Sequence, residues 1–152
     1  MQLTQFSDYA LRILVYLAAH QPKAGERLPA LADIGKAYGI SYNHVSKVAQ
    51  KLATLGYIDS QRGRLGGVQL ARPPAEINLG AVVRTTETNL ALVECFDPAT
   101  NTCPIAPACG LKRALWDARN QFLATLDKYT LADVAGHPQQ LVQLWTASRN
   151  TR

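Results

Sequence analysis

Between Phe6 and Ala19 the apolar residues Phe6, Ala10, Ile13, Leu14, Leu17 and Ala18 return at three- and four-residue steps. That rhythm predicts an amphipathic helix with one buried stripe. Thr4 and Ser7 are both suited to cap it, and the residues alone do not choose between them. His20 to Glu26, with Pro22 and Gly25, reads as the loop that ends it. A short helical stretch from Leu31 follows, then Gly39 as a turn and Ser41 as the N-cap of a further helix. In that helix Ile40, Val45, Val48 and Leu52 mark the inward side. Past Gly56, Tyr57 to Leu70 reads as strand, glycine-rich turn and strand, with Val68 and Leu70 alternating about Gln69.

Pro73-Pro74 closes this unit, and Leu79 to Thr86 predicts a short helix. From Pro107 onward Leu111, Leu115, Ala118, Phe122, Thr125 and Tyr129 step by 4, 3, 4, 3, 4, the spacing of a coiled-coil seam. About 22 residues at ~1.5 Å each predict a rod of roughly 33 Å, too long for so small a domain to bury alone. Two copies are therefore expected to pair along it. Leu131 to Trp145 reads as a helical cap, and the tail after Ala147 as disordered.

The expected fold is mainly α with a small β wing: a winged helix-turn-helix domain plus a long dimerisation helix. Residues 1–74 form the winged-helix domain, 75–106 a linker helix and cysteine loop, and 107–152 the dimerisation helix with its cap.

On the second helix of the pair, Ser41, Tyr42, Asn43, His44 and Lys47 occupy the cap and first turns, largely facing away from the apolar stripe. A recognition helix presents those positions to base edges. Asparagine can bond adenine through two atoms, and lysine can reach guanine or phosphate. Arg62 and Arg64 tip the hairpin, where a wing meets phosphates or the minor groove. Charge sharpens the picture. Residues 1–73 carry nine Lys and Arg against four Asp and Glu, whereas residues 74–152 carry seven of each. The whole net charge of +5 thus lies in the first half, which is where an anionic partner belongs.

All three cysteines lie in one short stretch, Cys95, Cys103 and Cys109, spaced C-x7-C-x5-C among Pro98, Pro104 and Pro107. Prolines disfavour helix and ladder here, so the loop is expected to be irregular and its thiols free to turn toward one centre. Zinc favours C-x2–4-C pairs that are absent, whereas iron–sulfur ligation tolerates longer, irregular spacings. From spacing alone an iron–sulfur site, a zinc or thiol switch, and plain structural cysteines all stay open. Cys109 follows Pro107 and is expected near a helix N-terminus, where partial positive charge favours a thiolate.

No basic segment precedes an apolar run at the N-terminus, and no apolar run approaches the ~20 residues of a bilayer span. A cytoplasmic protein without membrane contact is expected, and there a disulfide framework is disfavoured. Nucleophile-elbow, zinc-protease and phosphate-loop motifs are absent, so no enzyme is expected. His20, His44 and His137 receive no metal role, the first and last lying at helix ends and His44 on the reading face.

Three stretches carry a resemblance: the opening Met-Gln-Leu-Thr-Gln-Phe-Ser-Asp-Tyr-Ala-Leu-Arg, then Ser-Tyr-Asn-His-Val-Ser-Lys-Val, and the wing Arg-Gly-Arg-Leu-Gly-Gly-Val-Gln-Leu. Together, from Met1 to about Leu131, they resemble the winged-helix iron–sulfur regulators of the NsrR/IscR family. Cys103-Pro-Ile-Ala-Pro-Ala-Cys109-Gly-Leu-Lys-Arg-Ala-Leu is similar to its nitric-oxide-sensing NsrR members. The resemblance implies that Cys95, Cys103 and Cys109 bind an iron–sulfur cluster, 4Fe–4S or else 2Fe–2S, in a homodimeric repressor. It implies a pseudo-palindromic DNA operator and nitric oxide as the signal. IscR-like members place a histidine three residues after the third cysteine, where this chain has Lys112. NsrR-like members use an aspartate of the first helix, which maps onto Asp8, with Arg12 placed to orient it or to offset the cluster's charge. C-x7-C is longer than the usual NsrR gap.

Asp8 also has an ordinary reading, as a helix-start carboxylate paired with Arg12 one turn on. The alternatives are an IscR-like or thiol/zinc redox regulator and, in another class, a small iron–sulfur electron-transfer protein. The last would have no use for Lys47, Arg62 or Arg64.

Overall fold

The computed structural model describes residues 2–23 and 25–150, with backbone alone at 148–150. Among these residues there are seven α-helices and one two-stranded antiparallel sheet. The expected mainly helical fold with a β wing is the fold observed.

Helix α1 (Gln5–Ala19) is the element the others pack on. Its stripe of Ala10, Ile13, Leu14 and Leu17 is buried, meeting Ile34, Val45, Val48, Leu52, Ile58, Val82 and Leu131 in one core. Thr4 is the cap: its hydroxyl accepts from the Ser7 N–H at 3.3 Å, satisfying a donor that the helix leaves free. Ser7 is instead fully buried. Helix α2 (Leu31–Tyr38) ends on Gly39 at φ 68°, a left-handed conformation that a side chain would strain. Ser41 then caps α3 (Tyr42–Thr54), its hydroxyl accepting from the His44 N–H at 3.4 Å. Ile40, Val45, Val48 and Leu52 point inward as the pattern requires.

Strands β1 (Ile58–Gln61) and β2 (Gly67–Leu70) pair from Ile58 with Leu70 to Gln61 with Gly67. The wing also gains support from a segment that the hydrophobic pattern does not reveal. The Leu28 N–H donates to the Leu65 carbonyl at 3.1 Å, and the Val68 N–H to that of Pro29 at 2.9 Å. A side-chain carbon at Gly67 would stand 2.5 Å from the Pro29 oxygen, so only glycine permits this approach. Helix α4 (Leu79–Thr86) has the expected bounds and is capped by Asn78, whose side chain accepts from the Ala81 N–H.

The long helix is shorter than the seam predicts. Pro107 lies in a separate 3-10 turn, Ala106–Ala108, and Cys109 is extended, so α5 spans Gly110–Leu126. Its 17 residues measure about 26 Å at ~1.5 Å each. The far end stops because residues 129–131 are bound elsewhere. The Leu79 N–H donates to Tyr129, the Leu131 N–H donates to Ile77, and Asn78 bridges Thr130. Those bonds draw the chain out of the helix before Tyr129. The cap is two helices, α6 (Leu131–Val134) and α7 (Pro138–Asn150). Leu131 enters the common core, and Trp145 packs among Tyr16, His20 and Tyr38, laying α7 against α1 and α2. The tail expected to be disordered keeps helical backbone to Asn150, and residues 151 and 152 lie outside the described residues.

Candidate nucleic-acid interface and thiol loop

Helix α3 buries one side against α1 and α2, and that geometry leaves the other side bare. Ser41, Tyr42, Asn43, His44 and Lys47 are all exposed, with Tyr42 at 58%. His44 is fixed from two directions. Its Nδ1 lies 3.0 Å from the Ser41 hydroxyl, and its ring faces Tyr9 of α1 at 6.0 Å. Arg62 and Arg64 sit exposed in the turn between β1 and β2. The fold therefore presents an open helix flanked by a basic wing, a surface shaped for a duplex.

Asp8 and Arg12 lie one turn apart on α1 and form a two-point ion pair. Arg12 Nε donates to Oδ1 at 3.0 Å, and the second nitrogen lies 2.9 Å from Oδ2. Both side chains are more than two-fifths exposed, so the pair contributes little to stability. The hydrogen bond to Asp8 raises the pKa of Arg12 above its ordinary value. The same guanidinium stands 5.6 Å from the Tyr38 ring. Burial pushes the Tyr38 phenol up to about 12, with Arg12 pulling the other way. Asp8 thus occupies the ordinary ion pair its spacing allows, and Tyr9 next to it touches the bare helix.

The thiol loop is irregular, as its prolines require, with 3-10 turns at Glu94–Phe96 and Ala106–Ala108. All three cysteines are free thiols; Cys95 is buried, and Cys103 and Cys109 are partly exposed. Cys109 is the N-cap of α5, and its sulfur accepts the Lys112 N–H at 3.4 Å. The expected place at a helix N-terminus is the observed one. Among the described residues, no three Cys, His, Asp or Glu side chains converge as metal ligands would. The Asn101 side chain accepts from the Cys103 N–H, and that of Asp97 from the Ala99 N–H, closing two small turns inside the loop.

His20 caps the end of α1 and His137 precedes α7, both at helix ends as expected. The hydrophobic pattern does not mark Tyr9, Tyr38 or the group formed by Phe96, Trp116 and Arg119. Periodicity gives no signal for these contacts, because Tyr9 with His44, Tyr38 with Arg12, and Phe96 with α5 each join elements that are distant in the chain.

A bare second helix in a helix-turn-helix, beside a basic wing, defines a winged-helix DNA-binding regulator. The chain belongs to the Rrf2 family, whose model, described as an iron-dependent transcriptional regulator, matches residues 3–137. It is 48% identical over 144 residues to the HTH-type transcriptional regulator NsrR of Halalkalibacterium halodurans, covering 95% of this chain and 97% of that one. It is 46% identical to the NsrR of Bacillus subtilis over the same shares. Among solved structures it is similar to CymR, the global cysteine regulator of B. subtilis, with a TM-score of 0.71 and 26% identity. That likeness covers 90% of this chain and 98% of CymR. The fold is also shared with T. potens IscR, at a TM-score of 0.65 and 23% identity over 88% and 85% of the two chains. The chain is a transcription regulator and not an enzyme. No helix among the described residues is long and apolar enough to cross a membrane.

Proposed function

We propose that this protein is a homodimeric repressor that senses nitric oxide through an iron–sulfur cluster held by Cys95, Cys103 and Cys109. The observation that carries the reading is the thiol loop itself. Three free thiols lie within fifteen residues, and the last caps α5 with a backbone N–H already directed at its sulfur. Such a donor set suits iron–sulfur ligation, since the helix N-terminus favours negative sulfur. Relatives named NsrR at 46–48% identity support the same reading. When bound, the cluster supplies the iron with which nitric oxide reacts.

The chain's own part is mechanical. Cys95 and Cys109 hold the two ends of the loop, and Asp8, reaching across from the partner subunit, would complete the donor set. For that, Asp8 must leave Arg12, whose guanidinium then stands free to offset negative charge. Because Tyr9 follows Asp8 and faces His44, the stance of α1 is linked to the stance of α3. The pairing surface is α5 with its approach, where Ile105 and Leu111 stand exposed at 63% and 66%. Two such heads would meet successive major grooves of a pseudo-palindrome about 34 Å apart. Ser41, Tyr42, Asn43, His44 and Lys47 would then face the bases, and Arg62 and Arg64 the backbone or minor groove.

Anaerobic iron and sulfide analysis, paired with operator binding by wild type and Cys109→Ala, tests the reading. Wild type should contain iron and bind tightly, then release DNA on exposure to nitric oxide; the variant should do neither. Protein prepared without air that lacks iron, or a variant binding as tightly as wild type, would overturn it. Three free thiols also suit a thiol-oxidation switch. Release by peroxide and not by nitric oxide would favour that reading.

A further inference from the structure

We infer that Trp116 and Arg119 are positioning residues for Cys95, clamping the start of the thiol loop to the same helix that Cys109 begins. The consequence for iron rests on the cluster reading above, whereas the clamp itself does not. Phe96 directly follows Cys95 in the first 3-10 turn. Its ring meets Trp116 edge-on with centroids 5.2 Å apart. The Arg119 guanidinium stands 3.9 Å from the Trp116 centroid and 5.3 Å from that of Phe96. Trp116 and Arg119 are three residues apart on α5 and so share a face, about two turns beyond Cys109. One end of the loop is therefore referenced to α5 through the backbone, as its N-cap, and the other through a stack of rings and cation. Between them runs a proline-rich segment whose one regular element is the short 3-10 turn Ala106–Ala108.

The guanidinium is placed by the rings and not by an ion pair. Among the described residues only Asp8 with Arg12 and Asp127 with Arg84 form ion pairs. The buried Nε of Arg119 has no hydrogen-bond partner, and a terminal nitrogen reaches only its neighbour Asn120. Nor is Trp116 a core residue, at 42% exposure, so the fold does not depend on it. What it meets is Phe96, the neighbour of Cys95, and Cys95 at 9% exposure is the one buried thiol of the three.

The test uses full-length, reduced, metal-free protein, with iodoacetamide labelling at each cysteine followed by peptide mass spectrometry. Loss of an aromatic edge contact and a cation–π contact should raise the Cys95 rate in Trp116→Ala about tenfold, with Cys103 and Cys109 within about twofold. Trp116→Phe should restore most of the protection, and Arg119→Gln, which keeps the ring pair, should raise the Cys95 rate about fivefold. Circular dichroism should show an unchanged melting midpoint. In anaerobically reconstituted protein, both variants should also yield iron faster to a chelator and show a changed visible spectrum. If Trp116→Ala and Arg119→Gln are folded and label at Cys95 as slowly as wild type, the clamp is wrong, whatever the iron does. If labelling responds while wild type takes up no iron, the clamp stands and the cluster reading falls.

Discussion

The carboxylate of Glu87 accepts two hydrogen bonds from Thr4, one from the backbone N–H at 2.8 Å and one from the hydroxyl at 3.1 Å. Thr4 caps α1, and Glu87 is the residue on which α4 ends. A single side chain thus joins the start of the central helix to the point where the chain departs for the thiol loop. Its negative charge also sits at a helix N-terminus, where the dipole favours it. Glu87→Ala is expected to lower stability by about 0.5–1 kcal/mol, and Glu87→Gln by less. The measurement is the urea midpoint at constant slope, and no shift for the alanine variant would show the staple to be idle.

Cys109 has a structural task apart from any metal, and the two can be separated. Serine is a good N-cap, so Cys109→Ser should keep α5 within about 0.5 kcal/mol of wild type, whereas Cys109→Ala should lose roughly 1 kcal/mol. Both should fail to hold iron, because neither supplies a thiolate. Thermal melts beside anaerobic iron analysis check this; equal melts for the two variants would remove the capping role.

The exposed basic groups should separate by their kind of contact. Arg62→Ala and Arg64→Ala are each expected to reduce the slope of log K against log salt by about one, with little effect on sequence preference. Asn43→Ala should instead cost about 1–3 kcal/mol on the operator and leave non-specific binding nearly unchanged. Fluorescence anisotropy across a salt series reads both. If Asn43→Ala weakened all sequences alike, α3 would not be the reader.

Arg84 and Asp127 tie α4 to the end of α5 through two hydrogen bonds of 2.5 and 2.7 Å. The hydrogen bond from Arg84 holds the Asp127 carboxyl below its ordinary 3.8, with the guanidinium charge adding to it and desolvation opposing. A carboxyl lowered in the folded state stabilises fully above its unfolded value, and loses that effect as pH falls through the folded one. The Thr130 backbone N–H and hydroxyl lower Asp133 in the same direction. The stability difference between wild type and Asp127→Asn should therefore be constant above pH of about 5 and shrink below 3.8. Urea melts at a series of pH values decide; a gap that widens on acidification would reverse the assignment.

Where a contact is local, the residues announce it. The α1 stripe, Gly39 between two helices, Ser41 three residues before the His44 N–H and the bounds of α4 all follow from neighbours within one or two turns. The seam of α5 is a partial case. Its 4-3 spacing continues to Tyr129, but the helix stops at Leu126 because hydrogen bonds from residues 77–79 claim the next turn. Nothing in a periodicity reveals a competitor fifty residues upstream. Pro107 misleads for a related reason. Proline suits a first helical turn, and here it serves a separate 3-10 turn that leaves Cys109 to cap the helix.

By itself the sequence determined which residues line each helix, where the turns must fall, that the positive charge gathers in one half, and that all the thiols share one loop. These depend on side-chain type and on spacing along a continuous backbone. Only the tertiary structure decided that Leu28 and Pro29 brace the wing, that Tyr9 meets His44, and that Phe96 lies against Trp116 and Arg119. Those contacts join segments separated by long stretches of chain. They exist only because burying the stripe of α1 brings the surrounding helices together, and that packing is a property of the whole core and not of any window along it.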